Sequence, residues 1–198
     1  MEKPLVIVGG GPSASDCDFE TLKGAVTVAT VNDGFRKLPW ADICITADGW
    51  WLQKRALEIQ RFRGRVIAIL PKHLPDRPCQ YERVERVSGV GFDGVPGRAH
   101  FGDNSGFAAL NWAVAEGFKR IALIGFDYNP QGGHWHGGYE WHCPIGPERY
   151  PAWSDAMATV APLLKKAGAK IVNCNPKSLK GVYRHASVEG VIGGDAWA

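Results

Sequence analysis

The residues best suited to chemistry fall in two glycine-rich stretches. The first, residues 5–18, reads LVIVGGGPSASDCD: four apolar β-formers run into three glycines, a proline, two serines and two aspartates. Gly9, Gly10 and Gly11 would let backbone N–H groups approach a ligand with no Cβ in the way. Ser13 or Ser15 could then open a helix whose N-terminal dipole favours anions. The expectation is a phosphate-sized loop after a strand, although the same turn would serve any strand-to-helix connection. The loop lacks the lysine of a P-loop and the third glycine of a dinucleotide-binding turn.

The second stretch, residues 129–151, holds three of the six histidines, two tryptophans, two tyrosines and five glycines among 23 residues. It is too irregular for a regular element and too aromatic for a passive linker, and it predicts a lid. Rings stack on sugars or bases, glycines allow hinge motion, and a histidine titrating near neutrality can act as general base. His136 and His142 are the preferred candidates, with Tyr150, His73 and His100 as alternatives. His134, His136, His142 and Cys143 are also zinc-ligand types, but their spacing matches no common zinc module, so no metal site is assigned.

Elements must bring these stretches together. Leu5–Val8, Ala25–Thr30, Ile43–Thr46, Arg65–Leu70, Arg120–Phe126 and Lys170–Cys174 read as short apolar strands, with a further strand at Glu82–Val87. Between them lie a helix in WWLQKRALEIQRF, a strong helix starting at Asn104 and Ser105 and ending at Gly117, and one over residues 152–166 that Pro162 should kink or restart. Alternating strands and helices imply a single α/β, Rossmann-like domain spanning residues 1–198, its mainly parallel sheet covered on both faces. Nearly every strand exits into polar residues: Gly9–Ser13, Asn32 and Asp33, Asp48 and Gly49, Asp127–Asn129, and Asn173–Asn175. In an open parallel sheet that edge is where ligands bind.

Composition narrows the classes. A 45% hydrophobic and 22% charged chain with a net charge of +3 is ordinary for a globular protein and offers no case for nucleic acid. Lys54, Arg55, Arg61, Arg63 and Arg65 read as the solvated face of a helix and its exit. Five cysteines without a CxxC pair favour a reduced, cytoplasmic setting over a disulfide framework. No apolar run reaches membrane-spanning length. The oligomeric state is open, a homo-oligomer included.

VIVGGGPS, VNDGF, TADG, GDNSGFAALNWAVAEGFKRIALIGFDY and KIVNCNPKSL, in that order, resemble the superfamily that joins bacterial family-42 sialyltransferases to the DUF115 and 6-hydroxymethylpterin diphosphokinase-like proteins. The resemblance implies a nucleotide held by Gly10, Gly11, Pro12 and Ser13, by Asn32 and Asp48, and by Ser105 with Gly106; Asp127 joins them at the Gly-Phe-Asp strand end. It implies a glycosyltransferase using a CMP-sugar-like donor and a small-molecule or glycan acceptor. The family's lid histidine falls here on Tyr150 and Pro151. Asp48 in TADG is closer to the diphosphokinase branch, which implies the alternative of ATP-dependent diphosphoryl transfer, with Asp48 and Asp103 or Asp127 holding Mg2+. A third reading is a non-catalytic nucleotide- or glycan-binding module.

Overall fold

The computed structural model describes residues 3–74, 79–129, 131–137 and 145–198. Its strands are β1 Leu5–Val8, β2 Thr27–Val31, β3 Ile43–Thr46, β4 Arg65–Leu70, β5 Glu82–Val87, β6 Arg98–His100, β7 Arg120–Ile124, β8 Lys170–Asn173 and β9 Arg184–His185. All neighbours pair in parallel, in the order β6-β5-β4-β3-β2-β1-β7-β8-β9. The helices are α1 Gly34–Lys37, α2 Gly49–Ile59, α3 Ser105–Ala115, α4 Arg149–Lys166 and α5 Val188–Gly193. This is the expected Rossmann-like α/β architecture.

Burial follows from the strand period of two. β1 is buried along its whole length, as a central parallel strand covered on both faces must be. Leu5 and Ile7 join Ile43, Ile45, Ile67 and Ile69 under α3 and α4, against Phe107, Trp112, Met157 and Val160. Val6 and Val8 point the other way, toward Leu22, Val28, Val191 and Trp197. On that same face β3 and β4 offer Cys44, Val66, Ala68 and Leu70 to Trp51, Leu52 and Ile59 of α2. α3 is buried on all sides from Phe107 to Ala115, which explains a sequence that is apolar throughout except for Asn111, whose amide is taken up by His100 N and Gly91 O.

Two expected features differ. No α-helix follows β1; the chain makes two short 3-10 turns, Pro12–Asp16 and Phe19–Leu22. The cause is local competition: Ser15 Oγ bonds Pro12 O at 2.7 Å, Thr21 Oγ1 bonds Asp18 O at 2.6 Å, and the Asp18 carboxylate accepts from Glu20 N. Ser, Thr and Asp side chains thus take the backbone groups that a propagating helix would use. The second difference is α4, which runs unbroken through Pro162. The lost bond falls on the carbonyl of Ala158, an exposed residue where water can replace it.

No helix among the described residues is long and apolar enough to cross a membrane.

Candidate functional site

The strand order reverses between β1 and β7: the chain adds β2 to β6 on one side of β1, then returns to add β7 to β9 on the other. Loops leaving two adjacent strands in opposite directions open a crevice at the carboxyl edge. Gly11, Asn32, Asp48, Asp127 and Asn175 all leave the sheet on that edge. Ser105 joins them, its Oγ accepting from Ala47 N at 3.3 Å. A Cβ on Gly106 would stand 3.0 Å from the Phe126 ring, and one on Gly9 3.2 Å from the same ring. One phenyl ring therefore separates the start of α3 from the β1 loop.

Asp127 closes the reversal. Its Oδ2 accepts from Ser13 N at 3.1 Å and from Ser13 Oγ at 3.0 Å, while Oδ1 accepts from the side-chain amide of Asn175. The exits of β1, β7 and β8 thus meet on one carboxylate. Gly9 N and Gly11 N each donate at 2.8 Å to β7-end carbonyls, those of Ile124 and Gly125. The glycines are required by the chain's own packing. A Cβ on Gly11 would overlap the Asp127 carboxylate, one on Gly10 would lie 2.6 Å from His134 Nδ1, and one on Gly9 would lie 2.7 Å from Gly125 O. Gly11 precedes only a 3-10 turn and makes no side-chain cap. The helix dipole expected there is missing; the two eleven-residue helices that begin on this edge are α2, whose Trp50 and Trp51 N–H groups are taken by Asp48, and α3.

Residues 131–137 lie against the loop like a strap. Trp135 donates its N–H to Gly10 O at 3.2 Å and its indole Nε1 to Gly9 O at 2.8 Å, and its ring sits 4.9 Å from Phe19. His134 Nδ1 is 3.2 Å from Gly10 O. The His134 and His136 rings stack at 5.0 Å, 8° from parallel. His136 is buried, and burial, helped by the charges of His134, Arg36 and Lys37 against the opposing pull of Asp33, lowers its pKa to about 4. It stays neutral at physiological pH but is a weak base. His142 lies outside the described residues, as does Cys143. Tyr150 is in the first turn of α4 with its ring on Trp153 at 5.3 Å.

Beside this crevice sits a charge network that the reading of Arg55 as part of a solvated basic run does not predict. The Asp33 carboxylate, buried at the start of α1, takes 2.9 and 2.6 Å bonds from Arg55 and a 2.7 Å bond from Trp51 Nε1. Burial alone would push this carboxyl up; the Arg55 and Trp51 bonds and the Arg55 charge outweigh it and hold its pKa below the ordinary value. Arg55, expected on a solvated face, is 3% exposed and bonds Glu58 as well. The signal was present in the spacing: Trp51, Leu52, Ala56 and Ile59 form the buried stripe of α2, and Arg55 falls within it. Arg65 pairs instead with Glu82 at 2.7 Å.

Asp48 caps α2, its Oδ1 accepting from Trp50 N at 2.9 Å and Trp51 N at 3.1 Å. It stands three strands away from Asp127, roughly 14 Å at ordinary strand spacing, so these two carboxylates cannot share one metal ion. Among the described residues, no three His, Cys, Asp or Glu side chains gather as a metal site would require. Two clefts lie elsewhere: one of about 630 Å³ beside Gly64, Val66 and Glu82, the other of about 480 Å³ beside Pro162, Lys170 and Tyr183. Neither includes a residue of the β1 loop or of the β7 exit. No protein-family model, curated protein or solved structure matches the chain.

Two stability measurements test this account. Arg55→Met leaves the buried Asp33 carboxylate with Trp51 Nε1 and the more exposed Arg36, 3.6 Å away, as its remaining partners and should cost about 3 kcal/mol in urea unfolding, with Asp33→Asn in the same chain restoring much of it. His136 binds its proton more weakly folded than unfolded, so the unfolded state holds the extra proton between the ordinary value of 6.5 and about 4. Stability should therefore fall by about 3 kcal/mol as pH drops through that window, and His136→Asn should flatten that part of the profile.

Proposed function

We propose that this protein is a nucleotide-dependent transferase, a glycosyltransferase drawing on a CMP-sugar-like donor and a small-molecule or glycan acceptor. The observation that carries the reading is the reversal between β1 and β7, with five strand exits and the start of α3 on the same edge. The sequence resemblance to the family-42 and DUF115 superfamily supports it. The Ser105 and Gly106 N–H groups, at the positive end of the eleven-residue α3, are the donors suited to the phosphates. Asn32 and Asp48 are suited to the ribose and base. An acceptor hydroxyl then attacks the anomeric carbon while the donor phosphate leaves toward α3.

The diphosphokinase reading needs Mg2+ held by Asp48 with Asp103 or Asp127; the spacing of Asp48 from Asp127 and the bonds of Asp127 to Ser13 and Asn175 do not fit a shared ion, which leaves Asp103, two residues before Ser105, as the partner that reading requires. The binding-module reading has one observation in its favour: His136, a preferred base by sequence, is a weak one. A thermal-shift panel of CMP, CDP, UDP, GDP and ATP, with and without Mg2+ and chelator, separates these readings. A nucleotide at 100 times its Kd adds about 2.7 kcal/mol, a shift of roughly 5–10 °C for a chain of this length. The expected result is a shift with a cytidine nucleotide that survives chelator. Asp48→Asn should leave the unliganded Tm nearly unchanged, because Asn caps a helix as well as Asp, and should keep the nucleotide shift. Loss of the shift with chelator and in Asp48→Asn together would favour the diphosphokinase; a shift with no donor turnover would favour the binding module.

A further inference from the structure

The cleft of about 480 Å³ beside Pro162, Lys170 and Tyr183 belongs neither to the crevice nor to the strap. We propose that it is a second ligand site, which takes a small amphipathic carboxylate: one anionic head on an apolar body of about eight carbons. The inference is independent of the transferase reading, because this cleft lies at the start of β8 and the crevice lies at the strand ends.

The sheet itself opens the cleft. β9 is two residues long and pairs only with Val172 and Asn173, so Lys170 and Ile171 have β7 on one side and, among the described residues, no strand on the other. The space beside that free edge is walled by Ala161 and Pro162 of α4, by Ile171, and by Val182 and Tyr183 of the segment that leads into β9. That segment is held in place. Val182 N and Tyr183 N both donate to Leu179 O, at 3.1 and 3.3 Å, the Tyr183 hydroxyl donates to Met157 O at 3.4 Å, and Asn173 Nδ2 donates to Ser178 O at 2.9 Å. A preformed cavity of this size with apolar walls is what a small organic ligand requires.

Charge selects the occupant. Lys165, Lys170 and Arg184 line the cleft, and no aspartate or glutamate does. Among the described residues no carboxylate lies within ion-pair distance of any of the three. Lys170 Nζ donates to Trp197 O at 2.7 Å, and the Arg184 guanidinium donates to Ala196 O. Carbonyls are neutral, so these bonds orient the two cations without cancelling their charge. A carboxylate entering the cleft therefore meets three cations that no side chain neutralises, while its apolar body displaces water from the aliphatic walls. An amine of the same shape would be repelled, and inorganic phosphate would leave the walls wet.

Proton–nitrogen NMR titration of the full chain with octanoate, 3-phenylpropionate, octylammonium and inorganic phosphate tests this. At least one of the two carboxylates should produce saturable shifts at the amides of Ile171, Val172, Gly181 and Val182, with a Kd on the order of a millimolar or below. Octylammonium and phosphate should produce none there. The tighter of the two carboxylates tells an aliphatic body from an aromatic one. Lys165 makes no hydrogen bond or ion pair among the described residues, so Lys165→Glu should keep the Tm close to that of wild type and weaken carboxylate binding about fivefold or more. Ala161→Trp, which fills the cleft from α4, should abolish it. Absence of saturable shifts with both carboxylates, equal binding of octylammonium or phosphate, or wild-type affinity in Lys165→Glu would overturn the proposal, and none of these outcomes touches the nucleotide panel.

Discussion

The structure depends on how a parallel sheet is held together where its strand order reverses. Every strand from β1 to β8 but β6 is followed in the chain by the strand beside it, and α3 carries the chain from β6 back across the sheet to β7. Between β1 and β7 the two connections diverge, and the backbone groups at the strand ends face the gap between them. Asp127 bridges it, taking both the N–H and hydroxyl of Ser13 on one oxygen and the Asn175 amide on the other. A carboxylate is well matched to this task because charge-assisted bonds to N–H and O–H are roughly twice as strong as neutral ones. The same interaction explains why residue 11 is glycine, since a side chain there would occupy the carboxylate's place.

The second constraint is the charge buried beside the crevice. Asp33 and Arg55 are each almost fully shielded from water, and such a pair stabilises little unless its geometry is good and its remaining donors and acceptors are used. Here both Asp33 oxygens accept from the guanidinium, Trp51 adds an indole N–H, and Glu58 takes the other arm of Arg55. The network ties α1 to α2 and so fixes the exits of β2 and β3 relative to each other. It also leaves Asp33 committed, which removes it as a free ligand for anything entering the crevice.

Much of the fold was legible because it is written in local periodicities. The runs that became β1, β3, β4 and β5 have the residue limits expected of them, and Asn104 caps α3 where the small polar pair begins the helix. What was not legible required knowledge of partners far along the chain. GGGPSAS reads as the start of an α-helix, and only the approach of Asp127, 114 residues on from Ser13, and the local Ser and Thr bonds turn it into a 3-10 turn. Arg55 was misplaced because a basic run was weighed as a run, whereas its helical phase puts it with Trp51 and Ile59. His134 could not be told from His136 by spacing, since neighbours two apart differ only in which one the fold buries.

These points bear on where a phosphate can bind. Three glycines after a strand are open to two explanations, close approach of a ligand or close approach of the chain itself, and here the chain accounts for all three. The loop's Gly9, Gly11 and Ser13 N–H groups go to the β7 exit, and its Gly9 and Gly10 carbonyls go to the strap. At α3 the balance is different: Asn104 Oδ1 takes Phe107 N and Asn104 O takes Ala108 N, while the N–H groups of Ser105 and Gly106 have no place in the intrahelical ladder. On the transferase reading the phosphates therefore belong at α3 rather than at β1, and the β1 loop has a different task. It is the seat on which the strap at His134 and Trp135 is held, with the buried Phe126 ring filling the space between Gly9 and the start of α3.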